Sequence, residues 1–183
     1  MTIKKRCSWV EGKEEIYLDY HDNEWGVPVY DDNTLFEMLL LECFQAGLSW
    51  ITILKKREDF RVAYDNFDID KIVNYDESKI NELMENKLII RHRKKIEASI
   101  NNARIFKDIQ KEFGSFSDYI WSFSDNKIIK DSQENYLTKS DTSDKITKDL
   151  KKRGMKFVGS VTIYSYLESV GIIDNHTKDC FKY

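Results

Sequence analysis

Cys7 and His21 stand near the start of the chain. His176 and Cys180 stand near its end, the second pair in the pattern H-x₃-C. Two imidazoles and two thiolates make a closed tetrahedral donor set. Such a set suits zinc and leaves no open position for a substrate, so a metal held there is structural. A metal shared by both pairs staples the two ends of the sequence together. It closes a very long loop, where a cross-link removes most entropy from the unfolded chain in the loop-closure picture. The spacing equally fits two unrelated Cys/His pairs, because free cysteine is among the most buried residue types.

Glu42 is a second chemical candidate. It lies in Leu39-Leu40-Leu41-Glu42-Cys43-Phe44, and its helical neighbours are Leu35, Met38, Leu39 and Ala46. Those positions form the apolar face, which points inward. A carboxylate there is either paired, or turned out to solvent by a rotated helix, or faces a cavity, because an isolated buried charge costs several kcal/mol. Large flat side chains surround it in sequence: Trp9, Tyr17, Tyr20, Trp25 and Trp50. Each is ordinary core material taken singly. Together with one carboxylate they can line a pocket that stacks a planar cationic ring.

A third feature is Leu88-Ile89-Ile90-Arg91-His92-Arg93-Lys94-Lys95, a short apolar turn running into a basic helix start. Backbone N–H groups at a helix N-terminus bind phosphate without reading bases. Lys55-Lys56-Arg57 and Lys151-Lys152-Arg153 are further positive clusters. A lone cluster of this kind is also what a solvated charged face looks like.

These residues must be positioned mainly by helices. The 183 residues contain one proline, Pro28, and only seven glycines, too few turn formers for an all-β protein of this size. Apolar periodicity predicts a helix over 34–46, capped by Asp32 or Asn33 and closed by Gly47. Ser49 caps the next, to about Tyr64. Asp68 and Asp76 begin short helices, and a longer one runs from His92 to Lys107. Ser117 opens an amphipathic turn, and Thr142 or Ser143 caps a helix to Arg153. Residues 160–170 are β-branched and aromatic, and local propensity leaves helix and strand open. The polar stretch 124–143 reads as a surface loop inside one domain spanning 1–183.

Composition bounds the class. Three cysteines cannot form a complete disulfide framework, and no apolar leader or membrane-length segment is visible, so a cytoplasmic protein with reduced thiols is expected. The formal net charge of -3 argues against binding nucleic acid through overall charge, though not through a local patch.

The motifs Arg6-Cys7-Ser8-Trp9, Tyr20-His21-Asp22-Asn23-Glu24-Trp25-Gly26-Val27-Pro28, Leu41-Glu42, Gln45 to Arg57, Ile89 to Arg93, Asp118 to Phe123 and Leu150 to Gly159, with His176 and Cys180, resemble the DNA-3-methyladenine glycosylase I family. This is the Tag branch of the helix-hairpin-helix glycosylases. The resemblance covers nearly the whole chain. It implies an all-α, two-lobed fold with a helix-hairpin-helix at about 78–107 and one structural zinc tying the termini. It implies hydrolysis of the N-glycosidic bond of 3-methyladenine in alkylated double-stranded DNA, releasing the free base and leaving an abasic site.

Carried over by position, Cys7, His21, His176 and Cys180 are the zinc ligands, and Glu42 is the acid that holds the base. Tyr17, Tyr20, Trp50, Trp9 and Trp25 shape the pocket. Gln45, Gly47 and Leu48 probe the damage, while Ile90, Arg91 and Arg93 grip DNA. A monomer is expected, with no Schiff-base lysine. Leu88 and Lys94 stand where the hairpin often carries glycines, and Phe44 stands where a polar residue is frequent. A damage binder without catalysis, or a zinc-stabilised interaction module, would use the same residues differently.

Overall fold

The computed structural model describes residues 4–130 and 137–183. Among them are nine α-helices: α1 (Glu15–Asn23), α2 (Asp32–Gln45), α3 (Trp50–Ala63), α4 (Ile69–Ile72), α5 (Glu77–Glu85), α6 (Arg93–Phe113), α7 (Phe116–Ser122), α8 (Asp141–Lys152) and α9 (Ser160–Ser169). The chain is therefore mostly helical, as expected. It is not wholly so. Ile129–Lys130 (β1) and Ile173–Asp174 (β2) form a two-residue parallel pair, where the segments after α7 and α9 run side by side.

The helix α2 is the hub. It packs against α3, α6, α7 and α9. Its residues from Leu35 to Phe44 are buried except for Glu37, as a helix apolar on nearly every side requires. Phe44, the departure noted above, faces this core and not the loop that follows. Its ring lies 4.8 Å from Phe60 and 5.9 Å from Tyr64.

Six helix starts carry side-chain caps, some at shifted positions, while Ser49 precedes α3 without a side-chain cap bond. Asp68, Asp76 and His92 cap α4, α5 and α6. Asp31, rather than Asp32 or Asn33, caps α2 through Thr34 N. Ser115 caps α7 in place of Ser117, and Ser140 with Ser143 forms a capping box for α8. Asp32 is released for another use. Its carboxylate accepts from Phe116 N and Ser117 N, both at 2.9 Å, and binds α7 to α2. Residues 160–169, ambiguous by propensity, are helical because their aromatic side chains pack on α2. Tyr166 is buried and donates its hydroxyl to Leu35 O at 3.1 Å. The loop expected at 124–143 is shortened by β1 and by α8, and its positions 131–136 lie outside the described residues.

One close approach fixes the segment that carries the site. Gly171 (φ +73°) lies so near the 27–28 peptide that a Cβ would stand 2.4 Å from Val27 C. Gly26 N donates to Glu168 O at 2.9 Å and Val29 N to Val170 O at 3.0 Å, so the strand-like run after α1 is laced to the end of α9. No helix among the described residues is long and apolar enough to cross a membrane.

Candidate active site

The aromatic residues singled out in the sequence converge. Trp9 comes from a short 3₁₀ turn, Ser8–Val10, before α1. Its ring meets Tyr17 edge-on at 5.5 Å and Trp25 at 4.9 Å. Across from them, Tyr20 and Trp50 lie 5.4 Å apart. These five rings and Glu42 line a cavity of about 300 Å³, the size of a small planar ligand.

Glu42 does not escape to the surface. It is 3 % exposed, and its Oε2 is buried without a hydrogen-bond partner among the described residues. Burial, followed by the repulsion of Glu168, holds its carboxyl well above the usual glutamate range. Tyr20 is raised for the same reasons, burial first and then the Glu42 charge. Two further lining atoms, Trp50 Nε1 and Asn175 Oδ1, are also buried and unpaired. Buried polar groups are nearly always hydrogen-bonded. Two acceptors and one donor left open in one aromatic cavity are complementary to the edge of a nitrogen heterocycle.

Beside the cavity the metal candidates gather. Ligand atoms of Cys7, His21 and Cys180 lie within 4.8 Å of one another, although they are far apart in sequence. His21 Nε2 stands 3.5 Å from Cys180 Sγ. His176 lies just outside this trio, with its ring 5.2 Å from that of His21 and its Nε2 buried and unpaired. Each imidazole bonds through Nδ1 to a carboxylate: His21 to Asp22 at 2.9 Å and His176 to Asp174 at 2.8 Å. A carboxylate on one ring nitrogen directs the other toward a metal. Arg6 pairs with Asp22 and pushes its carboxyl down to about 2. Thr177 N approaches Cys7 Sγ at 3.4 Å. Burial raises the Cys7 thiol to about 11. Gly26 (φ +73°) keeps this corner open, since a Cβ there would stand 2.6 Å from His176 Cε1.

The basic clusters separate into different roles. Helix α5, the turn 86–92 and helix α6 make two packed helices joined by a short connection. Arg91 is exposed at its end. Arg93 is instead tied to Glu77 on α5 and to Glu97 on α6. Ile90 is half-buried, while Leu88 and Lys94 are exposed. Gln45 reaches the cavity, and Gly47 (φ +82°) and Leu48 are exposed in the short loop between α2 and α3. In the other two clusters the arginines and Lys55 and Lys56 have partners within the protein, while Lys151 and Lys152 are exposed. Arg57 is buried between Glu24 and Glu37, Lys55 pairs with Glu14, and Lys56 donates to Leu88 O at 2.7 Å. Arg153 pairs with Glu112 and Asp149.

A family model described as methyladenine glycosylase matches residues 9–183. The chain belongs to this family. It is 46% identical over 178 residues to the DNA-3-methyladenine glycosylase of Haemophilus influenzae, covering 96% of each chain. It is 43% identical over 183 residues to DNA-3-methyladenine glycosylase 1 of Escherichia coli, covering 98% of this chain and 97% of the other. A crystal structure of a Tyr-to-Phe variant of 3-methyladenine DNA glycosylase I in complex with 3-methyladenine superposes with a TM-score of 0.92. That match has 40% identity and covers 96% of both chains.

Within this methyladenine glycosylase fold, the cavity also has walls that no sequence motif marks. Glu168 and Ser165 reach it from α9, and Asn175 and Thr177 from the segment after β2. Asn175 is held by Tyr164 and Glu168, to which its Nδ2 donates. Only its place next to His176 could have marked it. Lys95 belongs by sequence to the basic helix start, but it is turned inward. Its Nζ donates to Phe44 O at 2.8 Å and to Ala46 O at 2.6 Å.

Proposed function

We propose that the protein is a DNA repair glycosylase that hydrolyses the N-glycosidic bond of 3-methyladenine in alkylated DNA. It releases the free base and leaves an abasic site. The observation that carries this reading is the unpaired Glu42 carboxyl oxygen buried in an aromatic cavity. Methylation at N3 makes adenine cationic and a good leaving group, so little general-acid power is needed. What the protein must supply is extraction of the nucleotide and a place to hold the base. The rings stack it. Glu42 accepts hydrogen bonds from it, and the cation's charge offsets the cost of holding an ionised carboxylate in this buried site. Neutral adenine brings no such compensation. The reaction is a hydrolysis without a Schiff base.

One structural zinc fits the residues present. Cys7, His21 and Cys180 form the trio, and His176, whose Nε2 is buried and unpaired, would supply the fourth donor of a two-sulfur, two-nitrogen set. When bound, zinc supplies folding free energy and no reacting position. The helices α5 and α6 act as a helix-hairpin-helix that grips the backbone of double-stranded DNA, with Ile90 and Arg91 at its turn and Arg93 braced behind them. Gln45, Gly47 and Leu48 meet the gap left by the extruded nucleotide. The protein works as one domain of two helical lobes, as a cytoplasmic monomer.

Incubation with duplex DNA methylated at N3 of adenine, followed by assay of free base, tests the reading. Release of 3-methyladenine without strand cleavage is expected. Tight binding of the damaged duplex with no base released in a long single-turnover reaction would make the protein a damage binder instead.

A further inference from the structure

Lys95 sits in the first turn of α6, three residues after the His92 cap, and only 7 % of it is exposed. Its ammonium donates to the carbonyls of Phe44 and Ala46, at 2.8 and 2.6 Å. Phe44 lies in the last turn of α2 and Ala46 is its C-cap, where carbonyls have no partner within the helix. A cation is the electrostatically favoured partner at a helix C-terminus. Water would serve equally for that end alone, since the residues that follow, 46–49, are exposed. Burying an ammonium is the more expensive solution, and burial pulls Lys95 below the usual lysine range.

What Lys95 holds is specific. The two carbonyls flank Gln45, lie two and four residues beyond Glu42, and precede the exposed loop that leads to Trp50. One ammonium thus fixes the stretch between the pocket acid and a pocket wall. A second tie runs the same way, because Lys56 on α3 donates to Leu88 O in the turn between α5 and α6. The hairpin turn is joined to the helix before the loop through Lys95, and to the helix after it through Lys56.

We infer that Lys95 is a positioning residue that locks the α5–α6 hairpin to the end of α2, so that seating the hairpin on a DNA backbone also seats the 45–49 loop and the pocket beneath it. The inference rests on the glycosylase reading above. Lys95 touches neither phosphate nor base. Its loss leaves each part of the site able to bind and removes their registration.

The test compares K95M, which keeps the length and apolar stem without the charge, with the native protein. Four quantities are measured: thermal melting, affinity for free 3-methyladenine by tryptophan fluorescence, salt dependence of binding to undamaged duplex, and single-turnover release of base from methylated duplex. Free-base affinity within about twofold and an unchanged salt slope are expected, with release slowed tenfold or more. K95R, which returns a cation to the same carbonyls, is expected to recover at least part of that loss. Unchanged release in a folded K95M overturns the inference. So does a parallel loss of free-base affinity and release, which would make Lys95 a support of the pocket alone. If K95M does not fold, K95Q takes its place under the same criteria. Failure of both to fold would assign Lys95 to the fold and overturn the coupling role. Absence of base release by the native protein would refute the glycosylase reading itself, a distinct result.

Discussion

The Asp174 carboxylate engages Nδ1 of His176 at 2.8 Å, while Nε2 of the same ring is buried with no partner among the described residues. That arrangement leaves a lone pair free on a ring 5.2 Å from that of His21, and burial holds the ring below the usual histidine range, which favours its neutral, ligating form. Elemental analysis of the purified protein is expected to give one zinc per chain. Asp174→Asn keeps the shape but weakens the orientation of the ring, and a loss of about 10–100-fold in zinc affinity is expected. His176→Ala should lower the melting temperature strongly. Metal-free protein that melts like the metal-loaded form would exclude a structural zinc.

Glu42→Gln preserves the size of the pocket acid and removes its charge. A hydrogen bond to a charged group contributes about 1.5–3 kcal/mol, so single-turnover release of 3-methyladenine should fall about tenfold or more. Binding to undamaged duplex should not change. Equal release rates for the two proteins would leave Glu42 no part in holding the base.

The same substitution has a signature in stability against pH. Burial raises the Glu42 carboxyl in the folded state above its unfolded value. Its contribution is therefore fully present below the unfolded value of about 4.3 and is lost as pH rises through the folded value. Glutamine does not titrate. The melting temperature of Glu42→Gln relative to native should rise between pH 4 and pH 8. A difference that stays flat across that range would mean the carboxyl is not perturbed.

Arg91 and Arg93 are predicted to differ. Arg91 is exposed at the hairpin turn. Arg93 is occupied by Glu77 and Glu97. If Arg91 meets a phosphate, Arg91→Ala should weaken duplex binding across sequences and reduce the slope of log affinity against log salt by about one. Arg93→Ala should change the slope less. The result to look for is the reverse order, which would place the phosphate contact on Arg93 and require its two ion pairs to open.

Asp32 offers a prediction about stability alone. Its carboxylate accepts from Gln110 Nε2, Phe116 N and Ser117 N, while Asp31 caps α2 independently. Asp32→Ala strips the start of α7 of this partner, at a cost of about 2 kcal/mol. A fall of about 4–8 °C in melting temperature is expected, with release of base per folded molecule unchanged at 25 °C.

The chain itself determined the helical class, because long apolar repeats at helical spacing with a single proline leave little else. It determined the chemical types of the candidate metal and pocket residues, each ordinary singly and noticeable only as a set. Its local signals also marked the starts of α2 to α8 to within three residues, but gave none for α1. Tertiary structure alone decided which of two adjacent aspartates caps α2 and which binds α7, since both have the right side chain and only packing places one beside Phe116 N. It alone turned Glu42 inward, because α2 is covered on every side and periodicity cannot say which apolar face meets a cavity. It drew Asn175 and Glu168 into the pocket through contacts that no spacing records. And it sent Lys95 inward from a run of five basic residues, Arg91 to Lys95, that look alike in sequence. A charge run specifies where cations are; only the neighbouring helix end, 49 to 51 residues earlier in the chain, specifies which cation it needs.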